Sequence, residues 1–508
     1  MGDFVVLWAL AMLTRLRVSG FKNLINVDVR FGPFTCVTGA NGVGKSNLFD
    51  AIRFLSALAD RPLTDAALSV RNAGVRNAEI HSLFHHVGGE YTDRMTFEVE
   101  MIVPEEAVDT LGQTATASTT FLRYALDLAY LPDERSGGFG KLEILREELD
   151  HINIGEATRH LLFPHRPVWR RSVIKGRRAA PLISTEQDGD HYRIVLHQDG
   201  SGAGPTTYVA RDLPRTILSG ATVSATPTAL LARKEMQSWR TLQLEPAALR
   251  QPDEATAPTQ ITSNGAHLPA TLHRIALQRA RQANAPEAEG TAQVYLRITD
   301  RLSSLIEQVR SVWIEQDFRR EVLTLYVTDQ NGTDYPARSL SDGTLRFLAL
   351  AALAEDPEAG GLLCVEEPEN GIHTDRIPAM VTLLKDLSTN PFEPVGPDNP
   401  LRQIIINTHA SSVLGEIAES CLLIAELKPI TEIDSGSKHV VFGCVRENWR
   451  QKAPEAVHTV SREALMDRLG LVLPDLPSLE EALEKVLSEK ETAPPREPAP
   501  QLSLFGEA

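Results

Sequence analysis

Residues 39–46 of this 508-residue chain combine glycines, a lysine and a serine in an order suited to holding phosphate. Their sequence, GANGVGKS, fits the pattern G-x-x-x-x-G-K-[ST] and lies between a strand-like run at 34–38 and a helix-like run at 46–58. In that context the pattern forms a phosphate-binding loop, whose backbone N–H groups and helix N-terminus face the anion. We expect Lys45 to lie against the β- and γ-phosphates of ATP and Ser46 to ligate Mg²⁺. The residues predicted to hold nucleotide here are Gly39, Asn41, Gly42, Gly44, Lys45, Ser46 and Asn47.

Two adjacent carboxylates follow a short apolar run at 362–365. Such a run is typical of a buried strand, and its carboxyl end would place both acids beside the phosphate loop at the edge of a parallel sheet. Phosphoryl transfer mainly requires positioning and charge neutralisation. We therefore expect Glu366 to hold the Mg²⁺ shell and Glu367 to polarise the attacking water, which makes the predicted activity ATP hydrolysis.

These motifs, together with LSDGT at 340–344, resemble the ABC-type, AAA-like ATPases of the RecF, SMC and OLD-like group. Heads of that group dimerise around ATP, and the LSGGQ-like signature of one subunit completes the nucleotide site of the other. The resemblance implies an ATP-dependent homodimer in which Ser341, Asp342 and Gly343 lie at the γ-phosphate held by the partner copy. Asp342 stands where the family has a glycine, and Glu366 stands where many relatives carry Asp.

Two further segments fit the same group. Residues 368–373 resemble the loop that passes between subunits, and the apolar run at 404–408 ends at His409, which is similar to the switch histidine that senses γ-phosphate. The family's Mg²⁺-contacting glutamine is missing from the corresponding stretch, 79–86. Whether His85, His86 or water replaces it stays open.

The element pattern and the resemblance predict an α/β fold. It is a P-loop ABC-ATPase head with an antiparallel β lobe I, a mostly parallel-sheet lobe II and a helical insertion, and strand-like runs at 95–101, 119–131, 141–148 and 191–197 belong to lobe I. Relatives begin with a Met just before a strand like the run at 16–23, so Met12 is the expected start and residues 1–11 are expected to be a misannotated extension. The predicted divisions are 12–200 (N-terminal half of the ATPase), 201–290 (compact helical insertion without a heptad pattern), 291–430 (C-terminal half), 431–490 (C-terminal extension) and 491–508 (disordered tail).

Composition narrows the class of protein. A net charge of −16 excludes a uniformly basic nucleic-acid coat, so DNA contact would need a local patch or dimerisation. The four cysteines show no close pairing, which is typical of a reducing cytoplasm. The apolar run at 4–13 is too short to span a bilayer, so neither a membrane anchor nor a signal peptide is expected.

One basic cluster interrupts the acidic chain. Clustered Arg and Lys could contact the phosphate backbone of DNA while an aromatic stacks on a base, or they could form a solvated hairpin. The sequence leaves these alternatives open. The cluster comprises Arg166, Arg170, Arg171, Lys175, Arg177 and Arg178, with Trp169 among them.

The C-terminal segment resembles a docking motif for the bacterial sliding clamp. A helix-like run at 478–490 is followed by a Pro-rich linker at 491–500 and then by the sequence QLSLF. The resemblance implies that apolar side chains enter a pocket while the glutamine hydrogen-bonds at its rim. The residues concerned are Gln501, Leu502, Leu504 and Phe505.

Two functions remain after this reasoning. The first is an ATP-gated ATPase acting on DNA in metabolism or repair. The alternative is the ATPase sensor of an antiphage or toxin–antitoxin-like defence system that controls a separate nuclease or toxin. The sequence after His409 has no D-x-D-type carboxylate cluster on a strand edge, so an intrinsic nuclease is not expected and any cutting would come from a partner.

Overall fold

The computed structural model describes residues 12–461 and 464–465, with gaps inside that span. The extension at 1–11 that precedes the expected start, the predicted C-terminal helix at 478–490 and the clamp-like residues 501–505 lie outside the described residues. The gaps are 71–79, 88, 110, 133–139, 190, 201–203, 283–286, 304–308, 430–437 and 456.

The described chain forms strands and helices in alternation. The strands are β1 (Met12–Ser19), β2 (Val27–Arg30), β3 (Phe34–Thr38), β4 (His86–Val87), β5 (Glu90–Tyr91), β6 (Arg94–Ile102), β7 (Glu106–Val108), β8 (Thr114–Thr116), β9 (Phe121–Leu131), β10 (Lys141–His151), β11 (Ile183–Asp188), β12 (His191–Leu196), β13 (Thr206–Val209), β14 (Arg240–Leu242), β15 (Asp253–Glu254), β16 (Val309–Asp317), β17 (Val322–Asp329), β18 (Asp334–Pro336), β19 (Gly361–Glu366), β20 (Arg402–Thr408), β21 (Leu422–Pro429), β22 (Lys438–Val445) and β23 (His458–Val460). The helices are α1 (Lys45–Leu58), α2 (Leu63–Ser69), α3 (Ala157–His160), α4 (Pro167–Val173), α5 (Pro227–Ser238), α6 (Pro246–Leu249), α7 (Leu268–Gln282), α8 (Glu287–Ser303), α9 (Asp342–Glu355), α10 (Ile377–Leu387) and α11 (Ser411–Leu414).

Eight strands form an antiparallel sheet, named here the lobe I sheet, in the spatial order β13-β12-β11-β10-β9-β6-β1-β2. Buried and more exposed positions alternate along β10 and through the first half of β6, as expected for a sheet with one face on the core. The predicted lobe I strands correspond to β6, β9, β10 and β12, which confirms this part of the fold.

Seven strands form a second sheet, named here the central sheet, in the order β14-β19-β20-β3-β21-β22-β23. The five strands from β14 to β21 are parallel, whereas β22 runs antiparallel to β21. Every residue of β3 and β20 is buried, because helices or the other sheet cover both faces. The mostly parallel lobe II sheet is therefore confirmed.

Alternate side chains of the central strands enter two different cores. Val37 and Ile405 pack in a core shared with α1 and the lobe I sheet, where Phe21, Phe54 and Phe97 contact one another with ring centroids 5.6–5.8 Å apart. Cys36, Ile404 and Ile406 pack on the other face in a core shared with α7, α8, α9 and α10. The central sheet is thus the middle layer of the molecule, and its carboxyl edge lies between two packed layers.

The segment expected to form a helical insertion contributes to both sheets. It contains helices α5 and α7, as expected for a helical segment, but β13 pairs with the lobe I sheet and β14 pairs with β19. Helix α5 packs in the core of α1, and α7 packs in the core of α9.

No helix in the described part of the chain is long and apolar enough to cross a membrane. All four cysteines are free thiols, at positions 36, 364, 421 and 444.

Burial of Glu235 on α5 predicts a specific pH dependence of stability. Its carboxylate accepts a hydrogen bond from Trp239 Nε1 at 2.7 Å, and burial raises its pKa to about 8. A folded-state pKa above the unfolded value makes the contribution to stability full below about pH 4.5 and lost as pH rises through 8. Glu235→Gln, which keeps the acceptor oxygen, should flatten the decline in the free energy of unfolding between these pH values. Chemical denaturation at several pH values checks this, with Glu393→Gln as an exposed control.

Candidate functional site

The phosphate loop joins β3 to α1 through glycines in left-handed conformations. Gly39 has φ 153° and Gly44 has φ 108°. A Cβ on Gly39 would lie 2.4 Å from the Ala425 carbonyl oxygen, and a Cβ on Gly44 would lie 2.3 Å from Asn23 Nδ2. Only glycine satisfies both the backbone conformation and the close approach at these positions.

Gly44→Ala is therefore expected to lower stability and weaken nucleotide binding. It combines left-handed strain with a clash against the Asn23 amide, and we expect a loss of about 1–3 kcal/mol in the free energy of unfolding. Gly42→Ala is the matched control, because Gly42 also has positive φ but a Cβ there meets nothing within 4 Å. Equal effects of the two substitutions in thermal unfolding would contradict the role given to the Asn23 contact.

Lys45 is buried at the first turn of α1 and folds back on the loop. Its Nζ donates hydrogen bonds to the carbonyl oxygens of Gly39 at 2.7 Å and Ala40 at 3.0 Å. Burial lowers the Lys45 pKa, and the nearby carboxylates of Glu367 and Glu369 oppose that shift. The ammonium group is thus held among negatively charged groups, where a phosphate could replace the two carbonyls.

Asn23, in the connection between β1 and β2, anchors the loop from lobe I. Its Nδ2 donates to the Val43 carbonyl at 3.1 Å, and its Oδ1 accepts from Asn47 Nδ2 at 2.8 Å. Asn47, predicted as a nucleotide-binding residue, therefore also fixes the loop to lobe I. The sequence motifs did not single out Asn23, because its contact depends on the packing of two distant segments.

The two adjacent glutamates lie at the end of β19, next to the loop. Strand β20 separates β19 from β3, and Ser46 Oγ lies 3.3 Å from Glu366 Oε2. A hydroxyl and a carboxylate at this separation offer the hard oxygen ligands that Mg²⁺ prefers, so these residues fit a magnesium–nucleotide complex. Glu367 has φ 44°, a strained conformation for a residue with a side chain, and its N–H donates to the Asn407 carbonyl at 3.0 Å.

His409 follows β20 and faces the second glutamate. Its Nδ1 lies 3.3 Å from Glu367 Oε1, and both side chains are partly exposed. Asn370 Nδ2 donates to the other carboxylate oxygen of Glu367 at 2.7 Å. A cleft of about 550 Å³, lined by residues of the phosphate loop, His409, Ser411 and β21, adjoins this pair. Segments distant in the sequence thus meet at one edge of the central sheet.

The signature-like motif caps helix α9. Ser341 is the N-cap residue, and its Oγ accepts a hydrogen bond from Thr344 N at 3.2 Å. The helix begins at Asp342. Asp342 forms an ion pair with Arg250. Among the described hydrogen bonds, none joins the motif to the phosphate loop of the same chain.

The same motif contacts the loop that follows the glutamates. A Cβ on Gly343 would lie 2.4 Å from the Gly371 carbonyl oxygen, and the Arg346 guanidinium donates to the Asn370 carbonyl. The first turn of α9 is therefore packed against residues 370–371 of its own chain.

The histidines considered as glutamine substitutes have contacts in lobe I. His85 is buried, with Nδ1 2.6 Å from the Lys22 carbonyl oxygen, and Lys22 in turn pairs with Asp50 of α1 at 2.8 Å. The His86 ring lies 4.4 Å from the Tyr91 ring.

The structure corrects the interpretation of the basic cluster. Trp169 is 0% exposed and packs against Phe163, with ring centroids 5.4 Å apart, so it is not free to stack on a base. Residues 167–173 of the cluster form helix α4, and Lys175, Arg177 and Arg178 follow that helix. Lys175 pairs with Glu105, and Arg178 lies 4.0 Å from Asp199, which offsets part of the positive charge.

The chain is similar to several known proteins. A family model described as "AAA domain, putative AbiEii toxin, Type IV TA system" matches residues 34–102 and 222–415, more than half of the chain. The curated "DNA replication and repair protein RecF" of Clavibacter sepedonicus is 33% identical over 127 residues, which is 24% of this chain and 29% of that protein. The RecF of Porphyromonas gingivalis strain W83 is 44% identical over 46 residues, 9% of this chain and 13% of that protein. This chain therefore matches less than a third of the length of these curated relatives.

Solved structures of SMC heads align with most of the chain at low similarity. An Smc head bound to the C-winged helix domain of ScpA has a TM-score of 0.46 and 13% identity, covering 86% of this chain and 99% of that chain. The SMC head domain from Thermotoga maritima has a TM-score of 0.35 and 12% identity, covering 85% of this chain and 98% of that chain.

Proposed function

Because this chain belongs to the family described as "AAA domain, putative AbiEii toxin, Type IV TA system" and has the P-loop ABC-type ATPase fold of the RecF, SMC and OLD-like group, we propose that it binds ATP with Mg²⁺, hydrolyses it and dimerises around it in DNA metabolism or repair. The observation that carries this proposal is the meeting of Ser46 with Glu366 and of Glu367 with His409 at one sheet edge.

The residues at this edge have separate roles in phosphoryl transfer. The N–H groups of residues 39–46 and the N-terminus of α1 hold the phosphates. Lys45 exchanges its hydrogen bonds to the two loop carbonyls for contacts with the phosphates, whose negative charge it neutralises. Magnesium held by Ser46 and Glu366 would supply charge neutralisation at the phosphate oxygens. Glu367 orients the attacking water and withdraws its proton, while His409 contacts Oε1 of the Glu367 carboxylate.

A composite site between two copies accounts for the geometry of the signature. Ser341 is the N-cap of α9, and the backbone N–H groups of the first turn of this helix can bind an anion. Their described hydrogen bonds stay away from the phosphate loop of the same chain. Binding of the γ-phosphate of a partner copy gives these groups a ligand, so we propose Ser341, Asp342 and Gly343 as the trans contacts of a homodimer.

DNA is the proposed macromolecular partner. The match to RecF proteins supports this choice, although it spans only 24% of this chain. With a net charge of −16, association with DNA must use a local patch or a surface made by two copies. The sliding clamp stays a predicted partner through the residues at 501–505, which lie outside the described part of the chain.

The family description favours one other function. It names a toxin and a type IV toxin–antitoxin system, which suits an ATPase sensor subunit that holds or releases a separate nuclease or toxin in a defence system. In that case the same nucleotide site would respond to a partner protein and not to DNA.

Phosphate release and light scattering of the purified full chain test the proposal. We expect Mg²⁺- and ATP-dependent phosphate release, a shift from monomer to dimer on adding ATP, and a higher rate with DNA. A folded chain that releases no phosphate would contradict the ATPase proposal. Hydrolysis that is indifferent to DNA would contradict the role in DNA metabolism and favour the defence sensor.

A further inference from the structure

A third glutamate, Glu369, lies in the loop after β19, two residues beyond Glu367. It is 7% exposed, and its Oε1 accepts a hydrogen bond from the Thr408 hydroxyl. Thr408 is fully buried at the end of β20, immediately before His409. The function proposed above assigns no role to Glu369.

The Thr408 hydroxyl connects two backbone segments. It donates to Glu369 and accepts a hydrogen bond from Ala410 N at 3.0 Å. His409 lies between Thr408 and Ala410, so this one hydroxyl fixes the backbone on both sides of the histidine. The glutamate at its other end fixes the loop two residues after Glu367.

A second set of hydrogen bonds ties the same loop to the end of the same strand. Glu367 N donates to the Asn407 carbonyl at 3.0 Å, and Asn407 Oδ1 lies 3.3 Å from the same nitrogen. The hydrogen bonds of Asn407 and Thr408 join the same loop and the same strand end as the contact between Glu367 and His409. That contact joins two partly exposed side chains 3.3 Å apart, which hold one another only weakly in water.

Burying the Glu369 carboxylate is energetically unfavourable, which indicates that its hydrogen bond from Thr408 serves a function other than stability. Burial raises the Glu369 pKa, and the hydrogen bond from Thr408 opposes the shift. Its Oε2 is buried without a hydrogen-bond partner among the described residues. A buried and half-satisfied carboxylate destabilises a fold, and an apolar side chain of similar size would avoid that cost.

The backbone of Glu367 is strained, so it needs surrounding contacts to hold its conformation. A φ of 44° is unfavourable for a residue with a side chain, and such strain persists only where surrounding contacts determine the conformation. Removing the hydrogen bond between Thr408 and Glu369 leaves the Glu367 conformation with fewer contacts to determine it.

We propose that Glu369 is a positioning residue for ATP hydrolysis, which through Thr408 holds the loop of Glu367 against the strand end that carries His409. This inference rests on the proposed ATPase function. It concerns the rate of the chemical step, because Glu369 acts through Thr408. The charge of Glu369 also lies near Lys45, so Thr408→Val, which keeps that charge, is the variant that separates rate from nucleotide affinity.

A double-mutant cycle tests the inference. Thr408→Val keeps the shape of the side chain and removes both hydrogen bonds, whereas Glu369→Leu removes the acceptor. For each single variant we expect kcat to fall by about 10- to 100-fold, and for Thr408→Val we expect KM for ATP to stay within about twofold, because small misplacements of catalytic groups lower the rate without weakening binding. The double variant should be no slower than the slower single variant, since both remove one tie. Thr408→Ser and Glu369→Gln, which keep a donor and an acceptor, should restore most of the rate.

Hydrogen exchange of the nucleotide-free protein supplies a readout that does not depend on activity. In Thr408→Val and Glu369→Leu, peptides covering 366–373 and 405–410 should exchange faster, while peptides of the lobe I sheet keep the wild-type rate. Thr408→Ser should retain wild-type protection. Faster exchange throughout the chain would indicate a merely structural role and would overturn the inference.

The outcomes separate this inference from the function on which it rests. A wild type that hydrolyses ATP, with variants of unchanged kcat and unchanged exchange at 366–373, would overturn the role of Glu369 alone. A wild type without hydrolysis would overturn the ATPase proposal and this role with it. Additive losses in the cycle, with KM rising as kcat falls, would also overturn the positioning role.

Discussion

Replacing Glu367 by Gln is expected to reduce ATP hydrolysis by about 10²- to 10⁴-fold, the range that a positioned general base contributes. Gln cannot accept the proton of the attacking water, but it keeps the size of the side chain and an oxygen for the hydrogen bond from Asn370. Lys45, Ser46 and Glu366 are unchanged, so nucleotide affinity should be close to wild type. Because turnover would no longer release the subunits, the variant should accumulate as an ATP-bound dimer.

Light scattering with and without ATP, together with phosphate release, measures both effects. Asp375→Asn is the matched control, since this carboxylate follows in the same part of the chain and its side chain is 86% exposed. The control should hydrolyse ATP at the wild-type rate. If Glu367→Gln remained monomeric with ATP, dimerisation around the nucleotide would be contradicted. If it retained hydrolysis, the role of Glu367 as the base would be contradicted.

The sequence predicted the parts of this site that depend on local patterns. Residues 39–46 carry their own turn glycines and helix start, and the acids at 366–367 directly end an apolar strand. The carboxyl ends of parallel strands meet at one sheet edge, so their proximity in the structure follows from strand order. The position of His409 beside Glu367 follows from the same rule, since β20 lies between β19 and β3.

Features that depend on burial and long-range pairing could not be predicted from the sequence. Trp169 lies among arginines in the sequence, but its ring is buried against Phe163, near Trp449 from the far end of the chain. Strand β14 has only three residues and pairs with β19 more than a hundred positions away, so it has too few residues for a periodic pattern. The contacts of Asn23 and Glu369 likewise require two segments to be packed before either residue acquires a partner.

A mixture of two inactive variants is expected to recover activity if two copies share each nucleotide site. Lys45→Ala removes the ammonium of the phosphate loop and leaves the signature intact. Ser341→Arg fills the anion-facing N-cap of α9 and leaves the phosphate loop intact. Each variant alone should lose about 10²-fold or more in hydrolysis, because each of its two symmetric sites lacks one essential part.

In the mixed dimer, the intact phosphate loop of one subunit meets the intact signature of the other. Random pairing makes half of the dimers mixed, with one complete site of two, so an equimolar mixture should recover about one quarter of the wild-type rate.

Lys45→Ala mixed with Glu367→Gln is the control. Both substitutions affect the side of the site that carries the phosphate loop, so each site of that mixed dimer keeps a defect and no recovery is expected. The cap itself is checked by Ser341→Thr, which keeps a hydroxyl for Thr344 N and should remain active. Recovery in the first mixture alone requires Ser341 to act on the nucleotide of the other copy, whereas failure to recover with intact dimerisation would confine each site to one chain.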